Sequence, residues 1–140
     1  MSSEQPEISV HDNTLVSYIV DCEKQEITLH TVFFDQEPHE YTEVVFSGVV
    51  AYHWEGDTFG TILFDIYERG IASIYSANGD LFLRRKNYGW PMLYDTKESL
   101  LENLQSSGVR GFIINSSIGL EGFVLAQEMR FVRRNSSGLS

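Results

Sequence analysis

The sequence predicts an α+β domain, with a mostly antiparallel, twisted sheet of about six strands and two helices between strands 4 and 5. Two observations indicate this class. Apolar and polar residues alternate through most of the first half of the chain, which is typical of half-buried strands. Later segments repeat apolar residues every three or four positions, as helices do. The chain has 140 residues and 42% hydrophobic content, which suits one packed domain.

The N-terminal half is predicted to form four antiparallel strands. Residues 15–22 and 26–34 alternate on either side of a short polar turn and so predict a hairpin. Residues 41–54 predict a third strand, which would be about 45 Å long if straight. Because that length exceeds what so small a domain accommodates, we expect a bulge or bend at Gly48. Residues 59–67 predict the fourth strand.

Residues 71–88 allow two interpretations. Asn78-Gly79 is a common hairpin turn, so the segment could form two short strands. Apolar residues at helical spacing, among them Ile71, Ile74 and Leu81, instead favour a helix. We adopt the helix and expect it to break or kink near Gly79.

The C-terminal part is predicted to contain a second helix and two strands. The helix is expected to begin after a cap at Asp95, with Glu98 completing a capping box, and to end at Ser107. Residues 109–115 and 123–132 predict the two strands. One globular domain over residues 14–132 is therefore expected, between a loose acidic N-terminus (residues 1–13) and a polar tail (residues 133–140).

Cysteine usage and the N-terminal sequence predict the compartment. Cys22 is the only cysteine, which excludes an intrachain disulfide and fits a reducing environment. It alternates onto one strand face with Val16, Tyr18 and Val20, so we expect an inert, buried thiol. No signal peptide is apparent and no apolar run is long enough to cross a membrane. We expect a cytoplasmic protein with no membrane partner.

Charge is distributed unevenly along the chain. Residues 1–68 contain 14 acidic residues and a single base, Lys24, for a net charge of −13, whereas residues 69–140 carry 6 acids and 9 bases, for +3. The sum is the overall −10. Such a field disfavours nucleic acid as a partner and favours a basic protein. The simplest alternative is a solvated acidic surface that keeps the protein in solution.

No motif predicts catalysis. Histidines and carboxylates at residues 30–57 have the chemistry of divalent-metal ligands, but their spacing matches no metal motif. Ser116 and Ser117 follow no nucleophile elbow, and a phosphate-binding glycine loop is not present. We therefore expect no cofactor and no metal, and a non-catalytic role is favoured over an enzymatic one.

Three stretches carry a resemblance to a known class of protein: EYTEVVFSGVVAYHWEGDTFGTILFDIYE (residues 40–68), KNYGWP (86–91) and INSSIGLEGFVLAQEM (114–129). They resemble small, uncharacterised bacterial proteins that belong to domain families of unknown function. The resemblance covers most of residues 15–132. It implies a bacterial, cytoplasmic, single-domain protein and implies no activity and no catalytic residue.

The leading functional hypothesis is a non-catalytic protein-interaction domain, of the kind that immunity proteins use to neutralise a cationic toxin. The candidate interaction residues are acids and aromatics in predicted loops or at strand ends: Glu37, Glu40, Glu43, Trp54, Glu55, Asp57, Tyr88 and Trp90. The alternative is a small-ligand-binding domain with an aromatic pocket formed by Tyr52, Trp54, Phe64 and Trp90. A hydrolase that uses His30 or His53 is the weakest hypothesis. A homodimer is compatible with all three, because the second sheet face is apolar.

Overall fold

The computed structural model describes residues 8–134, which form one antiparallel sheet of eight strands and three short α-helices. The α+β class is therefore confirmed. The strands are β1 (Thr14–Asp21), β2 (Glu26–Phe33), β3 (Glu40–Ser47), β4 (Ala51–Glu55), β5 (Ile62–Arg69), β6 (Arg110–Ile118), β7 (Glu121–Ala126) and β8 (Glu128–Arg134). The helices are α1 (Ile71–Ala77), α2 (Gly79–Arg85) and α3 (Lys97–Ser106), with a 3-10 turn at Lys86–Tyr88.

The expected number of six strands is wrong, because two of the predicted strands each divide in two. Residues 41–54 divide into β3 and β4 at Gly48, whose left-handed φ of 63° turns the chain. Residues 123–132 divide into β7 and β8 at Gln127, whose backbone N–H donates to the carbonyl oxygens of Ser47 (3.0 Å) and Gly48 (3.2 Å). The two breaks therefore face each other. Because the third predicted strand divides in two, the helices follow the fifth strand of the structure, not the fourth as expected.

The paired breaks close the sheet on itself. The strand order is β4-β7-β6-β5-β1-β2-β3-β8. Because β3 continues into β4 and pairs with β8, while β4 pairs with β7, residues 40–55 and 121–134 lie side by side through the shared bend. Following the pairings around therefore returns to the starting segment and gives a barrel-like shape. Its seam between β1 and β5 is short, with Thr14 opposite Ile62 as the sole strand pair.

The core has two parts because successive residues of a strand face opposite sides. The barrel interior is filled by residues such as Leu29, Phe46 and Phe112. The outer face of β4 and β7 packs against the helices through a second cluster that includes Ile74, Phe82, Leu100, Phe123 and Leu125. The helices thus cover the part of the sheet that contains β4.

The helical interpretation of residues 71–88 is confirmed for residues 71–85, and a 3-10 turn, not α-helix, follows at Lys86–Tyr88. The break comes at Asn78, where its backbone N–H donates to the carbonyl of Ile74 (3.0 Å) and its side chain donates to the same oxygen (2.8 Å). Gly79 then begins α2. The hairpin alternative is wrong, because the buried residues Ile71, Ile74 and Phe82 keep helical spacing against the sheet.

The cap of α3 lies one residue later than expected. Thr96, not Asp95, is the N-cap: the backbone N–H of Ser99 donates to the Thr96 hydroxyl (3.1 Å), and the Ser99 hydroxyl accepts from the Thr96 N–H (3.2 Å). Ser99 therefore completes the capping box that was expected at Glu98. Leu100 and Leu104 are buried on the inner side of this helix, in agreement with the predicted stripe.

We expect Thr96→Ala to lower the free energy of unfolding by about 1 kcal/mol, because a backbone N–H at the start of α3 loses its acceptor. Asp95→Ala is the control and should change it by less than about 0.5 kcal/mol. Urea denaturation of both variants measures the difference. An equal loss of unfolding free energy for Asp95→Ala would mean that the Asp95 side chain also caps the helix.

Three further expectations concern the ends and the cysteine. Cys22 is exposed, so the expected buried thiol is wrong: β1 ends at Asp21 and Cys22 lies in the turn that follows. Val10 and Asn13 are buried, so packing includes part of the expected N-terminal segment. Residues 1–7 and 135–140, which make up the rest of that segment and most of the predicted tail, lie outside the described residues. Within residues 8–134, every helix is too short or too polar to cross a bilayer.

Candidate functional site

Glu43, at the start of the β3–β8 pairing, is buried. Its carboxylate accepts a hydrogen bond from the Arg134 guanidinium (2.8 Å) and lies 3.2 Å from Nδ1 of His30, the residue opposite it on β2. This contact with the carboxylate raises the pKa of Arg134. The Glu43 side chain is only 9% exposed, so its charge is neutralised inside the protein and is not presented to a partner.

The two other candidate acids near this end of β3 also have partners within the chain. Glu40 pairs with Arg133 of the neighbouring β8 at 3.2 Å. Glu37 lies 2.9 Å from Nε2 of His39 in the exposed loop between β2 and β3. A small part of the charge asymmetry along the sequence is therefore offset here, because Arg133 and Arg134 of β8 pair with Glu40 and Glu43 of β3.

Trp54, Glu55 and Asp57 lie at the opposite end of the bent segment, where β4 ends. Trp54 packs against Tyr52 (ring centroids 4.6 Å apart) and edge-on against Tyr18 of β1 (5.3 Å). The Tyr18 hydroxyl donates to the Asp57 carboxylate at 2.8 Å. This hydrogen bond, together with partial burial, raises the pKa of Tyr18. Glu55 and Asp57 are exposed and form no ion pair within residues 8–134.

Tyr88 and Trp90 reach the same strand from the helical side. Trp90 packs against Phe82 (5.1 Å between ring centroids) and Phe123 (6.3 Å), which fixes one face of its indole on the sheet. Tyr88 is 81% exposed. Both aromatics line a cleft that also contains Tyr52, so the structure brings them to the strand that bears Trp54.

Three neighbouring clefts run along β4, and each shares a residue of this segment with the next. The first, about 320 Å³, lies between the turn at residues 20–27 and residues 49–52, with Trp90 beside it. The second, about 310 Å³, contains Tyr52 and His53 between Trp90, Tyr88 and α2. The third, about 400 Å³, contains His53 and Glu55 opposite residues 76–81 and Arg84. We call these three clefts together the β4 trough.

The trough has carboxylates near both ends that the sequence did not single out. Asp21 and Glu26 line the first cleft, and Asp80 lines the third. Glu121 lies directly opposite Glu55 in the β4–β7 ladder, an arrangement of like charges that destabilises a sheet. None of these acids forms an ion pair within the described residues. No periodicity could have grouped them, because they come from four separate elements.

The bases of the trough lie along its helical wall. Arg84 lines the third cleft and Arg85 the second, both on exposed positions of α2. The trough thus has carboxylates near both ends, with Arg85 in its middle cleft and Arg84 beside Glu55 and Asp80 in the third.

The described residues gather no group of three or more His, Cys, Asp or Glu side chains that could hold a metal ion. Phe64, the fourth residue of the expected aromatic pocket, contacts His11 (5.1 Å) and lines neither of the clefts that contain Tyr52. His30 is buried against Glu43, while His53 lies beside Phe123 (6.1 Å) in the trough.

Comparison of the chain with protein-family models, with curated proteins and with solved structures finds no match.

Proposed function

We propose that this chain is a non-catalytic interaction domain that binds a cationic protein at the β4 trough, in the manner of an immunity-type inhibitor. The observation that carries the proposal is the coincidence of aromatics with carboxylates that form no ion pair within residues 8–134, all along one strand. Tyr52, Tyr88 and Trp90 line the second cleft of the trough and Glu55 lines the third, while Asp57 follows two residues after Glu55 and accepts a hydrogen bond from Tyr18. Four candidates are not part of the proposed surface: Glu37, Glu40 and Glu43 have partners within the chain, and Trp54 lines none of the three clefts.

Both kinds of side chain favour a basic partner. A lysine or arginine of the partner can pack over the face of Tyr52 or Trp90, a cation–π contact that is stronger where water is excluded. Carboxylates at both ends of the trough attract such a partner from a distance and speed its association. A cation placed near Glu55 and Glu121 would also relieve their mutual repulsion.

A small-ligand site is the second candidate, and the first cleft favours it. Its volume of about 320 Å³ lies at the lower end of the range of small-molecule pockets, and Trp90 and Tyr52 provide aromatic walls. Such a ligand would bind independently of Glu55 and Asp57, which do not line this cleft. The two candidates therefore respond differently to changes at those carboxylates.

The test begins with capture of a partner on the immobilised protein at low salt, its identification, and measurement of Kd with the purified partner. We expect Glu55→Gln combined with Asp57→Asn to weaken binding about tenfold at low salt, or about 1.4 kcal/mol. The difference should shrink as salt rises, because exposed charges are screened. The side-chain amide that Asp57→Asn introduces can still accept the Tyr18 hydrogen bond, so the fold around Trp54 should be retained.

The matched control is Glu98→Gln combined with Glu102→Gln on α3, which changes the net charge by the same amount on exposed helix positions outside the trough. This control should leave Kd nearly unchanged. Equal weakening by both pairs would show a general charge effect instead of a site. A captured ligand that proves to be an uncharged small molecule would favour the second candidate.

A further inference from the structure

We propose that the first cleft of the trough is an anchor pocket for one lysine side chain of the basic partner. This inference rests on the proposed function and deepens it, because it names the side chain that enters the trough and the groups that hold it. A lysine has an apolar four-carbon stem and a compact ammonium at its tip. A pocket that selects lysine therefore needs apolar walls for the stem and acceptors for the charge.

The walls of the first cleft suit the stem. Tyr52 and Trp90 contribute aromatic rings, and Trp90 is already held against Phe82 and Phe123. A wall that is fixed before the ligand arrives lowers the entropic cost of binding. The aliphatic lining comes from the β1–β2 hairpin and from the chain around the start of β4: Val20, Ile27, Val49, Val50 and Ala51.

Two carboxylates of the cleft supply the acceptors. Asp21 and Glu26 line it and lie directly opposite each other in the β1–β2 ladder. Opposite residues of a ladder have Cβ atoms about 4.5–5.5 Å apart, so like charges at these two positions destabilise the sheet. Both residues are half-buried, whereas Glu23 in the same turn is exposed. Within residues 8–134 neither carboxylate forms an ion pair.

The lysine of the same turn does not neutralise this pair. The backbone N–H of Lys24 donates to Oδ1 of Asp21 at 3.0 Å, which leaves Oδ2 to meet a ligand. The Lys24 ammonium forms no ion pair with an acid of the described residues. An ammonium from outside would relieve the repulsion between Asp21 and Glu26, and this repulsion is the observation that points to a cation.

Two acceptors on two strands favour lysine over arginine. An ammonium has three donors at the end of a flexible stem, so it can meet both carboxylates at once. A guanidinium presents a flat fork that matches a single carboxylate. The rings of Tyr52 and Trp90 add a cation–π attraction, which grows where the cation is partly desolvated.

The way in which the clefts join favours a side chain of a protein over a free amine. Tyr52 and Trp90 line both the first cleft and the second, so a lysine in the first cleft can extend from a chain that lies over the second. The second cleft also contains Arg85. Because like charges brought together oppose binding, we expect neutral residues next to the anchoring lysine of the partner.

The test is an NMR titration of the full chain with Nα-acetyl-lysine N-methylamide, a model of one lysine residue. The indole N–H of Trp90 should shift, and a ligand of this size should bind with a Kd of about 1 mM. Trp54, the second of the two tryptophans, lines none of the three clefts and should shift less. The same compound acetylated on its side-chain nitrogen keeps the stem without the charge and should bind about tenfold more weakly.

Variants of the two carboxylates test their role. Asp21→Asn combined with Glu26→Gln should weaken binding of the lysine compound about tenfold and leave the acetylated compound unchanged. The amide that replaces the Asp21 carboxylate can still accept from the Lys24 N–H, so the turn should be retained. The matched control is Glu23→Gln combined with Glu98→Gln, which removes the same charge at exposed positions that do not line the cleft. Equal weakening by both pairs would overturn the anchor pocket.

The choice of ligand gives further outcomes that would overturn the inference. Equal binding of the lysine compound and its acetylated form would do so, as would an unshifted Trp90 signal at about twenty times the expected Kd. Tighter binding of the corresponding arginine compound would overturn the assignment to lysine. Tighter binding of butylamine, which is the stem and ammonium without the backbone, would assign the cleft to a small free amine instead.

Measurements with the purified partner separate this inference from the proposed function. Asp21→Asn combined with Glu26→Gln should weaken the partner about tenfold, and this difference should persist as salt rises, because partly buried charges are screened less than exposed ones. Salt-dependent capture of a basic protein, without binding of the lysine compound, would overturn the anchor pocket and leave the proposed function standing. Binding of the lysine compound without capture of any basic protein would support the pocket and count against the proposed partner.

Discussion

Phe82→Ala is expected to lower the free energy of unfolding by about 3–5 kcal/mol. Phe82 is fully buried between the helices and the sheet. Its ring stacks parallel to that of Phe123 (6.1 Å) and also contacts Tyr75 (4.8 Å) and Trp90 (5.1 Å). Truncation therefore removes a large apolar side chain and leaves a cavity that the surrounding aromatic rings fill only in part.

Denaturation in urea with two spectroscopic probes measures this loss. Leu83→Ala is the matched control, because Leu83 is the next residue of α2 and is 70% exposed. It should change stability by less than about 0.5 kcal/mol. A similar loss for both variants would mean that helix propensity, rather than packing on the sheet, determines the stability of this region.

Gly122→Ala is expected to cost about 3 kcal/mol, because the added methyl would overlap the neighbouring strand. Gly122 lies opposite Trp54 in the β4–β7 ladder. A Cβ at this position would lie 2.1 Å from the carbonyl oxygen of His53 and 2.5 Å from Cα of Trp54. Both are backbone atoms that cannot rotate away, so β4 would have to separate from β7.

Gly79→Ala is the control for this substitution. Gly79 begins α2, and no atom lies within 4 Å of the position its Cβ would take. Alanine should therefore stabilise the protein by up to about 1 kcal/mol, since it restricts the unfolded chain without strain. Thermal and urea denaturation compare the two variants, and Trp fluorescence reports whether Trp54 has moved. A neutral result for Gly122→Ala would indicate that β4 is already loosely paired.

The strands and helices were largely predictable from the sequence, whereas the closure of the sheet into a barrel-like shape was not. Alternation located β1 and β2 closely, and helical spacing placed α1 and α2 despite the Asn78-Gly79 dipeptide. The bend at Gly48 was expected, since glycine relieves a strand that is too long. The matching bend at Gln127 was not, because a glutamine carries no local signal and its position depends on hydrogen bonds to residues 47 and 48.

The candidate site was predictable only in its aromatic part. Trp54, Tyr88 and Trp90 stood out as aromatics at a strand end or in a loop. The structure places Tyr88 and Trp90 in the trough, whereas Trp54 packs against Tyr18 and lines none of the three clefts. The acidic candidates do not form one surface. Pairing of β3 with β8 places Arg133 and Arg134 beside Glu40 and Glu43, so these two carboxylates have partners within the chain. Cross-strand partners depend on register between distant segments, which one sequence does not reveal.

The closed sheet also has a consequence for how the chain folds during its synthesis. The ladder that closes it joins Tyr41 to Arg134, residues that are far apart in the chain. Contacts between such distant segments form slowly, because a long loop must be ordered before they contribute. Until residues 121–134 leave the ribosome, the edges of β3 and β6 lack their partner strands. A nascent chain stalled before that point should therefore be a substrate for chaperones, and completion of β8 should release it.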